Sequence, residues 1–308
     1  KILIEKAESN PNIKINFNHK CISADIEAGS VTFDNESREI EVNNDAVFGT
    51  DGAFSKIRMA FQRRDGFSYS QEYIDHGYKE LNIPPDALGN FKMEKEALHI
   101  WPRGGYMLIA LPNPDGSFTC TLFFPLKGEL SFDTLDSAFK ARKFMNDIFP
   151  DALNLMEDFE NQWESNPTSS LVIIKCKPWN VKGKSMLLGD ASHAIVPFYG
   201  QGMNSGFEDC RVFDEILEKS GDLNEAFESF SNTRKPDADA ISDLAMHNFI
   251  EMRDHTGQPD FLLRKKIENR FSELYPDKWI PLYSQVTFSH IPYSKALATG
   301  KKQEKIME

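Results

Sequence analysis

The chain has few cysteines, and they stand far apart. Four occur among 308 residues, Cys21, Cys120, Cys176 and Cys210, and none belongs to a C-x-x-C pair. This spacing argues against a redox dithiol and against a cysteine-based zinc site, and it favours isolated thiols in a reducing compartment over disulfides. None of the seven histidines stands in an H-E-x-x-H motif. The sequence therefore predicts no metal site.

Long apolar runs are also missing. The longest are short stretches such as Tyr106 to Leu111, whereas a helix that spans a bilayer needs about 20 apolar residues. The first residues, KILIEKAESNPN, lack both an initiator methionine and the apolar core of a signal peptide, and they read as the end of a helix. We therefore expect a cytoplasmic protein without a membrane segment.

Positive charge is scarce relative to negative charge. The chain carries 35 Lys and Arg against 47 Asp and Glu, which gives a net charge of -12 and a pI near 5.2. Nucleic acid and anionic membranes would repel such a protein, so a small organic partner fits better. The apolar fraction of 40% and the aromatic fraction of 12% are enough for a substantial core.

Two familiar active-site motifs are absent. No G-x-G-x-x-G follows an opening strand, and no G-x-S-x-G elbow occurs. Asp190, Ser192 and His193 supply the residue types of a hydrolase triad, but residues this close on a tight turn do not easily form one hydrogen-bonded row. A hydrolase is thus the weaker interpretation, and His193 is expected to hold the loop.

The most informative segment is KSMLLGDASHAIVPFYGQGMNSGFED. It places a short apolar strand, Lys184 to Leu188, before an acid at the strand tip, Asp190, and then a glycine-rich entry to an amphipathic helix. Free amide groups at such a helix entry favour a phosphate or an electron-rich ring edge, and Asp190 could accept hydrogen bonds from sugar hydroxyls. The alternative is an ordinary strand, loop and helix whose glycines serve only the turns.

The segment GDASHAIVPFYGQGMNSGFEDC resembles the second flavin-binding motif of the class A aromatic hydroxylases, and only Ser192, where that family usually has alanine, departs from it. Further segments narrow the resemblance to the kynurenine monooxygenase family within that class, and it runs over nearly the whole chain. These segments are FNHK, GTDGAFSKIR, YSQEYIDHGYKELNIPP, LHIWPRGGYMLIALPN, FTCTLFFP, AISDLAMHNFIEMR and WIPLYSQVTFS.

The resemblance implies an α/β (α+β) fold, namely the FAD/NAD(P)-binding flavin-hydroxylase fold with an antiparallel-sheet substrate domain and C-terminal helices. It also implies that the N-terminal βαβ dinucleotide unit of such enzymes is absent from this chain. The expected domains are part of the FAD-binding domain at 1–66, the sheet domain at 67–177, a returning FAD-binding segment at 178–222 and a helical region at 223–308.

Local patterns predict the elements. Short strands are expected at Ile13 to Phe17, Val31 to Phe33, Glu39 to Val42 and Asp45 to Gly49, followed by a helix from Ala53 to Gln62. The turn sequences PRGG and NPDG predict an antiparallel meander of strands at Leu98 to Trp101, Tyr106 to Leu111 and Phe118 to Phe124. Beyond Leu223 we expect helices interrupted at Pro236, Pro259, Pro276 and Pro281.

The resemblance implies FAD as the cofactor and NADPH as the hydride donor. In such enzymes the cofactor carries the difficult oxygen chemistry, so no catalytic side chain is assigned. Asp51 and Gly52 would lie near the cofactor and serve nicotinamide use, and the alternative for Asp51 is a simple helix cap. The cofactor-binding residues are then Asp190, Met203, Asn204, Gly202, Gly200, Asp51, Gly52 and Cys21.

L-Kynurenine and O₂ are the implied substrates, with 3-hydroxykynurenine as the product. Asn248 and Glu251 stand three apart on one helix face and could reach one ligand, and Tyr293 is implied to hold the substrate carboxylate. Phe198, Ile109, Leu111 and Phe123 would line an aromatic pocket, although apolar residues on a sheet are often plain core.

Two other functions stay open from the sequence: a flavin hydroxylase of a simple phenolic acid, and a non-catalytic flavin- or nucleotide-binding module. A homodimer is a further expectation. Eukaryotic members of the family carry a C-terminal anchor to the mitochondrial outer membrane, and that location would apply here if such an anchor had been removed.

Overall fold

A computed structural model of the chain describes residues 1–307. The strands are β1 (Lys20–Asp25), β2 (Ser30–Asn35), β3 (Arg38–Asn43), β4 (Val47–Gly49), β5 (Ser68–Ile83), β6 (His99–Pro102), β7 (Met107–Pro112), β8 (Phe118–Pro125), β9 (Thr168–Lys177), β10 (Asn180–Val181) and β11 (Ser185–Leu187). The helices are α1 (Ile2–Glu8), α2 (Lys56–Phe61), α3 (Ala138–Ile148), α4 (Pro150–Leu153), α5 (Phe159–Ser165), α6 (Asp190–His193), α7 (Gly202–Leu217), α8 (Leu223–Ile250), α9 (Pro259–Leu274), α10 (Leu282–Thr287) and α11 (Tyr293–Met307).

Contacts between Cα atoms divide the chain into two compact units. The first comprises Lys1–Ser70, Ile174–Ala194 and Gly202–Pro236. The second comprises Gln71–Ile173, Ile195–Gln201 and Asp237–Glu308. Each unit is therefore assembled from three separate stretches of sequence.

The first unit contains two small sheets. One is the antiparallel order β1-β2-β3, and the other is β10-β11-β4, in which β11 runs parallel to β4 and pairs Leu187 with Gly49. A Cβ added at Gly49 would come within 2.9 Å of both Ile57 and Leu187, so the absence of a side chain lets α2 pack closely on this sheet. The strands predicted near residues 31, 39, 45 and 184 are thus confirmed, with shifted ends.

The strand predicted at Ile13 to Phe17 is wrong. The structure has turns and irregular chain there, and the strand begins later, at Lys20. Ile13 is 47% exposed and Phe17 is 59% exposed, so the apolar alternation that predicted the strand has no partner sheet to cover it. Alternation favours a strand only where one of its faces becomes buried.

The second unit is built on one five-stranded sheet in the order β6-β7-β8-β5-β9. Strands β6, β7 and β8 form the predicted antiparallel meander, and β5, which precedes them in sequence, pairs with β8. Phe118, Cys120, Leu122 and Phe124 belong to a core cluster that includes α3 side chains, whereas Phe123 belongs to another cluster. The predicted alternation along β8 therefore separates two packed faces.

Helix α8 corrects the expected break at Pro236. It runs for 28 residues from Leu223 to Ile250 with the proline inside it. Proline removes one backbone donor, but the fully buried Phe230 and Ile241 on either side of it anchor both halves by packing. The other prolines lie at helix boundaries as expected, with Pro259 opening α9 and Pro281 preceding α10.

Candidate functional site

The turn after β11 leaves open space beside its backbone. Gly189 has φ 56° and ψ −142°, a conformation that side chains rarely adopt, and a Cβ added there would meet no atom within 4 Å. Asp190 begins α6 immediately afterwards, and its side chain is exposed. None of the described residues donates a hydrogen bond to its carboxylate, so this acid is available to a ligand.

A buried carboxylate holds this turn in place. The amide of Gly189 donates to Oδ2 of Asp209 at 3.0 Å, and the ring of His193 bonds the same oxygen through Nε2 at 2.6 Å. Arg234 Nε donates to Oδ1 at 2.9 Å. Burial opposes ionisation of Asp209, but His193 and Arg234 outweigh it and hold the pKa of this carboxyl below its usual range. Asp209 therefore ties α6, α7 and α8 to the Gly189 turn.

This network also gives His193 its role. The ring is 4% exposed and hydrogen-bonded to Asp209. His193 therefore holds the loop, as the sequence predicted. Ser192 Oγ donates to the carbonyl of Gly189 at 2.9 Å. The two side chains thus have different partners, and the row of acid, base and nucleophile that a hydrolase needs is not formed.

Helix α7 begins at Gly202, and its first amide groups have no acceptor within the helix. Met203 is 72% exposed and Asn204 is exposed as well, so this helix entry is accessible. An accessible helix N-terminus favours an anion or an electron-rich edge.

Asp51 binds the start of helix α2, whose N-cap residue is Ser55. Its Oδ1 accepts from the hydroxyl of Ser55 at 2.5 Å, and its Oδ2 accepts from the amide of Lys56 at 2.6 Å. The carboxylate thus supports the helix start together with the N-cap Ser55, and a role toward a nicotinamide stays a prediction. Gly52, at φ 78°, has open space beside it. Burial first and the Asp51 carboxylate second raise the pKa of the Cys21 thiol.

Sequence reasoning missed three buried residues that position these loops: Asp209, Arg234 and Arg58. Arg58 is 2% exposed, and its guanidinium donates to the carbonyl of Ala191 at 2.8 Å and to that of Ala53. It thereby links α2 to α6. Asp209 and Arg58 both lie inside the segments GFEDC and GTDGAFSKIR, but their partners are distant in sequence, so the pattern alone carries no sign of the contact.

The first unit accordingly offers what a flavin dinucleotide needs: backbone that can be approached at Gly189 and Gly52, a free carboxylate at Asp190 and an accessible helix entry at Gly202. These residues fit such a cofactor. No group of three or more His, Cys, Asp or Glu among residues 1–307 is arranged to hold a metal ion.

The second unit has a cluster of three phenylalanines, which we call the aromatic wall. Phe198 stacks on Phe249 with ring centroids 4.2 Å apart and lies 4.8 Å from Phe123. Ile109 packs against the same cluster. Leu111 shares that sheet face by its position two residues along β7, and it is 47% exposed. The structure thus brings the predicted pocket residues of the sheet to one face.

Asn248 and Glu251 have different partners. Asn248 is 5% exposed, and its Nδ2 donates to the carbonyl of Phe198 at 2.7 Å. Glu251 begins a π-helical turn, Glu251–His255, and pairs with Lys265 at 3.1 Å. Only Asn248 of the two therefore touches the aromatic wall, and contact of both with one ligand stays a prediction.

Tyr293 lies at the start of α11. Its hydroxyl donates to Oε1 of Gln201 at 3.0 Å, and Gln201 is 4% exposed. Tyr199 stacks on Tyr283 with centroids 5.5 Å apart, which places a second tyrosine near residue 198. The sequence analysis missed Gln201 and Tyr283, although both lie in segments that it singled out.

Comparison with known proteins then decides the family. A scan against protein-family models gives no match. A kynurenine 3-monooxygenase of Dictyostelium discoideum is 43% identical over 318 residues, which cover 99% of this chain and 69% of that protein. This chain belongs to the kynurenine 3-monooxygenase family. The resemblance of its motifs to that family is thereby confirmed.

Bacterial members of the family are also similar. The kynurenine 3-monooxygenase of Flavobacterium johnsoniae is 55% identical over 265 residues, 86% of this chain and 59% of that protein. That of Myxococcus xanthus is 46% identical over 300 residues, 97% of this chain and 65% of that protein. The chain thus spans less than two thirds of the length of these two relatives.

Solved structures share the fold at low sequence identity. The tetrameric form of 2-methyl-3-hydroxypyridine-5-carboxylic acid oxygenase superposes with a TM-score of 0.66 at 20% identity, covering 84% of this chain and 68% of that one. The tetracycline destructase Tet(51) gives 0.56 at 18% identity, covering 88% and 70%. The predicted mixed α/β fold of the flavin hydroxylases is confirmed.

Among the helices of residues 1–307, none combines the length and the apolar composition that a bilayer crossing requires.

Proposed function

We propose that the protein to which this chain belongs is an FAD-dependent, NADPH-using monooxygenase that hydroxylates L-kynurenine to 3-hydroxykynurenine. The observation that carries the proposal is the open Gly189 turn with its free Asp190 carboxylate, held by buried Asp209, in a chain of the kynurenine 3-monooxygenase family. The bound flavin would supply the activation of O₂ and the transfer of one oxygen atom to the substrate ring.

The first unit is proposed to hold the cofactor. Asp190 would accept hydrogen bonds from the sugar-like hydroxyls, and the amides of Gly202, Met203 and Asn204 would face an electron-rich edge of the flavin. Gly52 and Cys21 complete the proposed cofactor contacts of this unit, and a cofactor contact by Gly200, which belongs to the second unit, stays a prediction. Asp51, which already fixes the start of α2, would orient that loop toward the nicotinamide.

The second unit is proposed to hold the substrate. The aromatic wall, with Ile109 and Leu111, would pack against the ring of kynurenine and exclude water from it. Asn248 and the hydroxyl of Tyr293, which bond the Phe198 carbonyl and Gln201 in this structure, are proposed to bond the polar groups of the amino acid. The contact of Glu251 with the substrate stays a prediction.

The test uses full-length protein. If the proposal holds, the purified protein is yellow, carries about one FAD, and oxidises NADPH faster when L-kynurenine is added, with 3-hydroxykynurenine as the product. Salicylate and 4-hydroxybenzoate serve as controls. Stimulation by these phenolic acids instead of kynurenine would change the substrate class, and a colourless protein that refuses FAD would overturn the flavoenzyme proposal.

The proposal includes O₂ as the second substrate. It includes no nucleic acid partner, because a net charge of -12 would repel the phosphate backbone. The homodimer and the cytoplasmic location stay predictions. Sedimentation analysis of the full-length protein would check the first.

A further inference from the structure

A cavity of about 530 Å³ lies in the second unit among α8, the π-helical turn, α9, α10 and α11. Its size is typical of a site for a small molecule. Asp243, Leu244, His247 and Ile250 of α8 line it, whereas Ala245 and Phe249 of the same helix pack in the cluster of the aromatic wall. These two sets of residues lie on opposite faces of α8, so the cavity is separate from the aromatic wall.

The cavity contains an excess of negative charge at one point. Lys265 lies 3.1 Å from Glu251 and 3.6 Å from Glu268, so two carboxylates share one ammonium group. The side chain of Glu268 is only 13% exposed. These carboxylates outnumber the single charge of Lys265, and Asp243, Asp260 and Glu304 line the cavity as well. An additional cationic group would therefore be stabilised here.

The same cavity has cations without an acid partner. Arg264 and Lys301 both line it, and neither lies within ion-pair distance of an acid among residues 1–307, although Asp260 and Glu304 line the cavity too. A guanidinium binds a carboxylate in two-pronged geometry and Lys adds a further point charge, so these two groups suit a carboxylate ligand.

Apolar side chains occupy the rest of the lining. Leu244, Leu282 and Leu297 face the cavity and also pack in the cluster that contains Tyr199. The ring of Phe261 lines it too, with the ammonium of Lys265 5.1 Å from its centroid. An aliphatic or aromatic group would bury apolar surface here.

We propose that this cavity binds a small amino acid as its zwitterion, with an apolar or aromatic side chain. The ammonium group would meet Glu251 and Glu268, the carboxylate would meet Arg264 and Lys301, and the side chain would pack on the leucines and Phe261. Tyr199 packs with the lining leucines and follows Phe198 of the aromatic wall in sequence. Burial together with the charges of Glu251 and Glu268 raises the pKa of its hydroxyl.

The experiment measures binding to the full-length FAD-loaded protein without NADPH, so that no turnover is needed. L-Phenylalanine is titrated by calorimetry into the wild type, into the double variant Arg264→Gln with Lys301→Gln, and into the control Lys266→Gln with Lys302→Gln. The control removes the same charge from adjacent positions that do not line the cavity. We expect affinity to fall by about tenfold in the first double variant and to stay unchanged in the control.

Two analogues test the zwitterion. Phenethylamine lacks the carboxylate and 3-phenylpropionate lacks the ammonium, and each should bind more weakly than phenylalanine. No binding to the wild type, equal binding to both double variants, or equal binding of either analogue would overturn the proposal. Melting temperatures of the variants verify the fold. Because the readout is binding alone, its failure would leave the proposed hydroxylation standing.

Discussion

Asp209 shows how one buried side chain can set the shape of a functional turn. Its two oxygens accept from an amide and an imidazole of one stretch of the first unit and from a guanidinium of another. A carboxylate can accept all three bonds, whereas an amide group would present a donor to one of them. Its charge also balances the buried Arg234.

The variant Asp209→Asn should therefore be strongly destabilised. Removal of one partner leaves Arg234 buried with a reduced counter-charge, which costs about 3 kcal/mol. The midpoint of urea unfolding measures this cost, and flavin content should fall with it because the Gly189 turn loses its anchor. Asp214→Asn, on the exposed side of α7, is the matched control. An unfolding midpoint equal to that of the control would contradict the anchoring role.

Variants of the proposed site residues should distinguish effects on cofactor binding from effects on substrate binding. Asn248→Ala and Tyr293→Phe should each weaken kynurenine binding by about 1–3 kcal/mol, because each leaves a polar partner unmet, and flavin content should not change. Asp190→Ala should instead lower the flavin content and leave the kynurenine contacts intact. Flavin absorbance and a kynurenine titration of each variant provide the two readings, and equal flavin loss in all three would show that the roles are assigned wrongly.

At the scale of elements, close approach of backbones decides several packings. Strand β5 pairs with β8, and at Gly77 it passes near another strand of the sheet. A Cβ added at Gly77 would lie 2.8 Å from the carbonyl oxygen of Ser169 in β9 and 2.6 Å from Leu126. The backbone oxygen cannot move aside without displacing β9.

The variant Gly77→Ala should accordingly lose about 1–3 kcal/mol of stability, the usual cost of overpacking. Thermal unfolding followed by circular dichroism measures the change. Gly221→Ala is a suitable comparison, since its Cβ would lie 3.4 Å from the flexible end of Glu225. If both variants melted at the same temperature, the close packing of β5 on β9 would not contribute measurably to stability.

At the scale of the whole molecule, the titrating groups favour neutral over acidic solution. Burial first, and the nearby Arg253 guanidinium as well, lower the pKa of His76 from its ordinary value of 6.5, although its hydrogen bond to the Gly105 carbonyl opposes this. A lowered pKa in the folded state means that the unfolded chain binds the proton more readily. The stability from His76 is thus fully present above pH 6.5 and is lost as the pH falls through its folded value.

We therefore expect the unfolding midpoint in urea to decline between pH 7.5 and pH 5. In His76→Gln that decline should be smaller, because the group that titrates in this range is gone. His290→Gln replaces an exposed histidine and should retain the wild-type slope. A slope in His76→Gln as steep as in the wild type would assign the pH dependence to other groups. Asp209, whose pKa is also lowered, adds a further loss at lower pH.

Local sequence patterns predicted an element correctly wherever the residues of that element alone determine its structure. The meander from β6 to β8 follows from its turn sequences, and the strand, acid and glycine-rich helix entry around Asp190 follow from spacing alone. The failures have a common cause. Ile13 to Phe17 lacks a covering surface, and Pro236 is accommodated by buried neighbours on both sides, and neither fact is local.

The sequence by itself determined the family, the main strands of both units and the segments that supply the proposed cofactor and substrate contacts, because motif spacing and apolar periodicity are properties of the chain order. Only the tertiary structure decided that Asp209 gathers His193, Arg234 and Gly189, that Asn248 reaches Phe198, and that Glu251 faces a separate cavity with Lys265. Such contacts join residues far apart in sequence, and a side chain's partner depends on which faces the folded elements present to one another.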